Sequence, residues 1–461
     1  MRLTVIGCGY LGAVHAAAMA DLGHHVLGVE TDPARLALLA RGQAPFYEPG
    51  LDELLRRGAR TGRLRYTAEL DGAAARADVH FLAVGTPQSP SGRGADLSHL
   101  WRAVDSLAAV LPRCVHPDGM PLVVGKSTVP VGTAQQVADR LAGRALVVWN
   151  PEFLREGMAV ADTLSPDRIV YGLPTEPARA ERARAILDEV YAPILAAGAP
   201  RLTMGYQTAE LVKTAANAFL ATKISFINAM SALCAATGAD VTVLADAIGR
   251  DARIGPHFLR AGLGFGGGCL PKDLRGLEQS ATELGANGLA SFLSRVDSIN
   301  RGQRDRVTQM ALEALGPNPA GRAVTILGIT FKPDSDDLRD SPVLEVALRL
   351  ADAGAVVTVH DPRGLEGLSR LHPVLRAQPD ALRALEGAEL VILGTEWKEL
   401  TDLDPRAAAA RVARPVLIDA RNALAPSRWT AAGWDYHGIG RPSELRWSAP
   451  RRRALAGTMV G

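Results

Sequence analysis

The chain opens MRLTVIGCGYLG, which reads as a short buried strand that breaks into a glycine turn and reopens as a helix, AVHAAAMADLG. A strand feeding a helix through glycines leaves few folds open, because the next strand then lies parallel and needs a crossover. The pattern recurs. HHVLGVETDP, ADVHFLAVGTP, PLVVGKSTVP and RALVVWNPEF each read as a strand ending in a polar or glycine-bearing loop. Strand alternating with helix predicts a parallel sheet covered by helices on both faces.

The middle of the chain differs. From about Thr208 to Thr237 there is no Pro or Gly, Ala is abundant, and apolar residues recur at helical spacing. That predicts one helix well beyond the globular mean. A central helix of this kind commonly buries a face against another subunit, so a homodimer is expected. Further helices are expected from Asp273 to about Leu315. After LGPNPAGR a second strand–helix unit begins with AVTILGITF. Ser341 caps its helix SPVLEVALRLADAG, with Pro342 in the first turn. AVVTVHDP, AELVILGTEW and PVLIDARN follow as strands. The expected class is therefore α/β, with two doubly wound Rossmann-like lobes joined by a central helical region. The expected divisions are 1–200, 201–315 and 316–445, with 446–461 a disordered basic tail.

Composition narrows the function. The apolar fraction is 47% and the charged fraction 22%, ordinary for a soluble globular protein. Basic and acidic residues number 51 and 49, a balance that argues against a nucleic-acid partner. No apolar run is expected to span a bilayer, and the N-terminus does not read as a signal peptide. Cys8, Cys114, Cys234 and Cys269 are too widely spaced for a metal site or a disulfide framework, which points to a cytoplasmic protein with reduced thiols. Lysine is rare beside arginine; Lys126, Lys213, Lys223, Lys272, Lys332 and Lys398 are the whole set. Lysine then persists where a compact, tunable ammonium is useful.

The motifs gather at strand ends. Gly7, Gly9 and Gly12 allow a tight turn, close approach of a pyrophosphate, and tight helix–strand packing, with Tyr10 and Leu11 between them. Glu30 ends the second strand, where a carboxylate binds ribose hydroxyls and repels a 2′-phosphate; the cofactor is expected to be NAD. Arg35 covers the adenosine side. Thr86, Thr128, Glu152 and Glu156 sit in later strand-end loops, where open parallel sheets bind ligands. Glu152 and Glu156 would face the same way if their segment were helical. Lys213 and Asn217 share a helix face and can donate to a developing oxyanion. In GFGGGCLPKD the glycines admit a ligand to Cys269, with Lys272 and Asp273 just downstream. A nearby cation and a helix N-terminus favour a thiolate nucleophile there. Cys8, Cys114 and Cys234 read as small core residues. Lys332 and Arg339, on the loop GITFKPDSDDLRDSP, suit phosphate binding.

GCGYLG, STVPVGT, NPEFLREG, ELVKTAANAFLATKIS, GFGGGCLPKD and GITFKPDSDDLRDSP occur in this order over nearly the whole chain. In this the chain resembles the UDP-glucose/GDP-mannose dehydrogenase family. The segment Arg253 to Cys269 looks most like its UDP-glucose branch; GDP-mannose is the alternative substrate. The resemblance implies an NAD-binding first domain, a central dimerisation domain carrying the catalytic Lys and Cys, and a last domain that binds the nucleotide sugar. It implies oxidation of a sugar C6 alcohol to a carboxylate in two hydride transfers. Cys269 matches the nucleophile that holds the aldehyde as a thiohemiacetal and then a thioester. Glu152 matches the residue assisting hydrolysis, Lys213 and Asn217 the oxyanion groups, and Asp273 with Thr128 the pair that helps deprotonate the alcohol. The loop from Glu152 through Phe153, Leu154 and Arg155 to Glu156 matches the substrate side. So do Phe258, Leu259, Arg260, Ala261, Gly262, Gly266 and, at a phosphate, Lys332. Glu156, Lys272 and Arg339 match the NAD side. Arg253 matches an arginine that reaches the neighbouring subunit's substrate. Gly268 stands where the family commonly has Ser, and Glu30 where it commonly has Asp.

Overall fold

The computed structural model describes residues 1–70, 76–89, 94–112 and 119–442. The tail 446–461 and Cys114 lie outside them. The first sheet has eight strands: β1 (Arg2–Ile6), β2 (His25–Val29), β3 (Leu64–Thr67), β4 (Val79–Leu82), β5 (Leu122–Gly125), β6 (Leu146–Trp149), β7 (Ile169–Leu173) and β8 (Arg201–Gly205). Their order is β3-β2-β1-β4-β5-β6-β7-β8, parallel except where β6 meets β7. β4, β5 and β6 are buried at every residue, as a sheet covered on both faces requires.

The second sheet has six strands: β9 (Ala323–Leu327), β10 (Val356–His360), β11 (Arg376–Ala377), β12 (Leu390–Leu393), β13 (Val416–Asp419) and β14 (Asp435–Gly438). All run parallel in the order β11-β10-β9-β12-β13-β14, the doubly wound arrangement expected. The helix after β9 is Pro342–Asp352, and its Ser341 cap accepts from the Leu344 N–H, as the sequence predicts.

Between the lobes lies the long helix, Tyr206–Thr237, which Gly238 ends in the left-handed region at φ 76°. Its partners are the helices Leu270–Glu283 and Asn287–Leu315. One expectation is corrected here. This helix is, by length and composition, apolar enough to cross a membrane. It nonetheless buries Glu210 and Lys213, and the Glu210 carboxylate accepts from the N–H groups of Gly132 and Ala134 at 2.7 and 2.6 Å. Such charged, partnered positions belong to a core helix packed against protein.

Candidate active site

The glycine turn is shaped from both sides. Gly7 has φ 86°, and a Cβ there would lie 2.8 Å from Val84. A Cβ on Gly12 would lie 1.8 Å from the Gly7 carbonyl oxygen. At Gly9 a Cβ would meet nothing within 4 Å. Two glycines are thus demanded by the chain itself, and the third faces open space at the start of helix Tyr10–Asp21, where unpaired N–H groups attract a phosphate. Glu30 directly follows β2 and is buried, accepting from the N–H groups of Cys8 (3.1 Å) and Asp32 (2.9 Å) and pairing with Arg35 at 3.2 Å. These residues fit a dinucleotide with a free ribose diol. The Tyr10 hydroxyl donates to Glu48, while Leu11 lines the adjoining cleft.

That cleft, about 810 Å³, runs between the first lobe and the long helix. Glu152 to Arg155, Lys213, Asn217 and Phe258 line it. The segment Asn150–Gly157 is a loop rather than a helix, so Glu152 and Glu156 point to different partners. Lys213 Nζ lies 3.0 Å from Glu152 Oε1, and the Leu154 N–H donates to Oε2 at 2.6 Å. Phe153 stacks under the Arg168 guanidinium at 3.9 Å, and Arg155 is fastened to Asp162. Burial by itself would lower the Lys213 ammonium, but Glu152, Asp273 and Cys269 outweigh it and hold its affinity for the proton above the ordinary value.

Asp273 is buried in the first turn of helix Leu270–Glu283. It accepts from Asn217 Nδ2 and from Lys272 Nζ, each at 2.7 Å. Asn217 and Lys272 are therefore engaged by Asp273. Thr128 sits across from Asp273, both lining a small hollow with Lys272, and its carbonyl accepts from the buried Thr86 hydroxyl at 2.8 Å. Cys269 occupies the N-cap position of the same helix. The expectation of a favoured thiolate is corrected. The surrounding protein withdraws water, and Glu152, Asp273 and Glu156 add negative charge, so the thiol is pushed up to about 12 despite Lys213. Cys269 is nevertheless open at its outer edge. Enclosure by the walls around it, not lack of access, is what penalises the thiolate. Cys8 and Cys234 are buried, as core residues should be.

Glu156 joins the lobes. Arg339 Nη2 lies 3.4 Å from its Oε1, the Ser335 hydroxyl donates to Oε2 at 3.4 Å, and Lys332 Nζ donates to its carbonyl. Burial and Asp337 push the Glu156 carboxyl up to about 7. Gly268 packs against Arg339, whose guanidinium a Cβ would meet at 2.6 Å. Leu259, Ala261, Gly262 and Gly266 are buried where the last lobe meets the central helices: a Cβ on Gly262 would lie 2.7 Å from the Ala420 carbonyl oxygen, and one on Gly266 2.3 Å from that of Asp340. Arg260 reaches Glu396 at 3.6 Å. Arg253 stands apart, its side chain 89% exposed and paired with Asp251.

Several residues escaped the sequence reading. Lys126 is fully enclosed behind Glu152, donating to Asn150 Oδ1 at 2.9 Å, and burial lowers its ammonium to about 8. Its rarity as a lysine was the available signal. Arg421 is tucked in, donating to the carbonyls of Gly394, Gly264 and Phe331 at 2.6, 3.0 and 3.1 Å. Asn228 accepts from the Gly262 N–H at 2.9 Å and Asn300 from that of Phe265 at 2.8 Å, so both hold the glycine-rich loop. Only the fold brings these side chains to that loop.

Residues 1–195 match the NAD binding domain of the UDP-glucose/GDP-mannose dehydrogenase family, 207–302 its central domain, and 325–426 its UDP binding domain. The UDP-glucose 6-dehydrogenase of Pseudomonas aeruginosa is 41% identical, covering 96% of this chain and 98% of that protein. That of Rhizobium meliloti is 40% identical, covering 96% and 100%. The solved UDP-glucose dehydrogenase of Pyrobaculum islandicum superposes with a TM-score of 0.85 at 38% identity, covering 95% of this chain and 98% of that one. The chain belongs to the UDP-glucose/GDP-mannose dehydrogenase family.

Proposed function

We propose that the chain oxidises the C6 alcohol of UDP-glucose to the carboxylate of UDP-glucuronate through a covalent intermediate on Cys269. NAD, the cofactor of this family, accepts the hydride in each of two oxidations. The single observation carrying the reading is the buried Lys213–Glu152 pair set beside an accessible cysteine at a helix N-cap.

Asp273, held by Asn217 and Lys272, takes the alcohol proton with Thr128 through water as the first hydride leaves C6. The Cys269 sulfur then adds to the aldehyde carbon. Because its thiol is held protonated, the S–H proton ends on the former carbonyl oxygen, which Lys213 stabilises as it gains charge. Loss of that proton and of the second hydride leaves a thioester. Water attacks the thioester carbon as Glu152 takes its proton; the C–S bond breaks, Glu152 passes that proton to the leaving sulfur, and the carboxylic acid loses its own proton to water, so the thiol and the carboxylate result.

Within this scheme residues 1–200 hold NAD, 201–315 carry Lys213 and Cys269, and 316–445 bind the nucleotide sugar. Glu30 and Arg35 address the adenosine ribose; Glu156, Lys272 and Arg339 the rest of the cofactor. Phe153 to Arg155, Phe258 to Gly262, Gly266 and Lys332 address the sugar nucleotide. A homodimer is supported by the exposed apolar stripe Leu211, Phe219, Phe226 and Leu233 along the long helix, which a second copy would cover; Arg253 would then reach the neighbour's site. The free thiols of Cys8, Cys234 and Cys269 support a reducing, cytoplasmic setting.

The test is NADH release with UDP-glucose, GDP-mannose and UDP-N-acetylmannosamine. Two NADH per UDP-glucose, with the other sugars inert, is the expected outcome. One NADH per sugar, or preference for another donor, overturns it. Light scattering checks the dimer, and charged substitution at Phe219 and Phe226 should release monomers.

A further inference from the structure

The three residues Phe46, Tyr47 and Glu48 each hold a different part of the molecule. The Phe46 ring lies 4.6 Å from that of Tyr10, the first residue of the helix at the glycine turn. The Tyr47 N–H donates to Asp336 Oδ2 at 3.0 Å, and the Arg363 guanidinium lies 4.3 Å over the Tyr47 ring; both partners belong to the last lobe. Glu48 is buried, and its carboxylate accepts from the N–H groups of Gly157 (2.7 Å), Ala159 (2.7 Å) and Val160 (3.4 Å) as well as from the Tyr10 hydroxyl. Its direct partners are N–H and O–H donors, while the Lys332 ammonium acts on it through space. Several well-aimed donors of this kind offset the cost of burying a carboxylate.

Those donors follow directly on the loop Glu152–Glu156. Gly157 has φ 79°, and a Cβ there would lie 2.6 Å from the Asp334 carbonyl oxygen of the last lobe. The loop is thus pinned between Glu48 on one side and the last lobe on the other. Tyr10 belongs to the cofactor turn, Glu152 to the sugar cleft, and Asp336 to the last lobe. One short segment touches the structure around all three.

We propose that Phe46–Glu48 is a strap coupling the dinucleotide turn to the nucleotide-sugar cleft, with Glu48 as a positioning residue for the Glu152 loop. Filling the turn fixes Tyr10, which fixes Glu48 and through it the loop, while Tyr47 draws the last lobe onto the same frame. This rests on the reading of the two ligands given above. Coupling of this kind is reciprocal, so either ligand must alter the affinity for the other by the same factor.

The test uses NADH and UDP-glucose, a pair that binds without reacting. NADH fluorescence titrations of the full chain, with and without saturating UDP-glucose, give the coupling factor. For the native chain about a 5-fold or greater change in NADH affinity is expected. Glu48→Gln should bring the factor close to one, because an amide nitrogen then faces N–H donors. Tyr47→Ala, which leaves the Glu48 contacts alone, should lower it in part and decides the matter if Glu48→Gln does not fold. A factor of one in the native chain, or an unchanged factor in folded variants that only melt earlier, overturns the strap. If UDP-glucose does not bind the native chain, the substrate reading fails instead, and the same titrations with GDP-mannose decide the coupling.

Discussion

Lys213 Nζ sits 3.0 Å from Glu152 Oε1, with side chains 5% and 12% exposed, so the long helix and the loop after β6 meet through a nearly dry ion pair. Lys213→Met leaves the carboxylate without its ion-pair partner. Removing one member of a buried pair costs about 3–5 kcal/mol, and loss of one oxyanion donor about 10²–10³ in kcat. Denaturant unfolding should show the first loss and single-turnover NADH release the second. Wild-type turnover in Lys213→Met removes Lys213 from the chemistry.

Burial and the neighbouring carboxylates push the Cys269 thiol up to about 12, and Lys213 is the group that pulls it down. Alkylation by iodoacetamide should therefore be slow at neutral pH and rise continuously into the alkaline range. Lys213→Met should slow it further at every pH. Mass spectrometry of the labelled chain checks both, with buried Cys8 and Cys234 left unmodified. Cys269→Ser should stall after the first oxidation, and full turnover in that variant would point to a plain alcohol dehydrogenase.

Glu156 holds its proton more tightly in the folded chain than its ordinary value of 4.5, up to about 7, through burial and the Asp337 charge. The native state then binds more protons than the unfolded one between those values. Its stabilising contribution is complete below about 4.5 and is lost as the pH rises through about 7. Urea unfolding from pH 5 to 8 should show the decline, and Glu156→Gln should flatten it. Equal slopes for the two proteins would contradict the assignment.

Gly9 and Gly12 should behave differently under the same substitution. Gly12→Ala sets a Cβ 1.8 Å from the Gly7 carbonyl oxygen, so the chain should melt earlier. Gly9→Ala meets nothing within 4 Å in the protein, so stability should hold while NAD binding drops, because the new methyl occupies the approach of the pyrophosphate. Thermal melts and NADH titration separate the two.

Much of the fold was legible from the residues alone. Runs such as VHFL, LVVG and LVVW are buried throughout, and their β-branched and apolar content marks them as central strands. Arg201–Gly205, by contrast, is an edge strand with mostly exposed residues, and nothing local distinguishes it from a loop. The long helix was visible because nothing in Thr208–Thr237 interrupts it, and Ser341 announced the next helix because capping is a matter of one hydrogen bond.

Local chemistry also identified the turn at Gly7, the carboxylate Glu30 and the candidate nucleophile Cys269, since each depends on neighbours in the chain. What tertiary structure alone decided is where charge is shared. Glu152 and Glu156 are near in sequence, yet one is bound to Lys213 and the other to the last lobe. The Cys269 thiol is raised, not lowered, chiefly because burial and the Glu152 and Glu156 carboxylates, which come from a distant segment, add to the nearby Asp273. Periodicity and turn chemistry act over a few residues. Desolvation and Coulomb interactions act through space, and only the folded chain sets those distances.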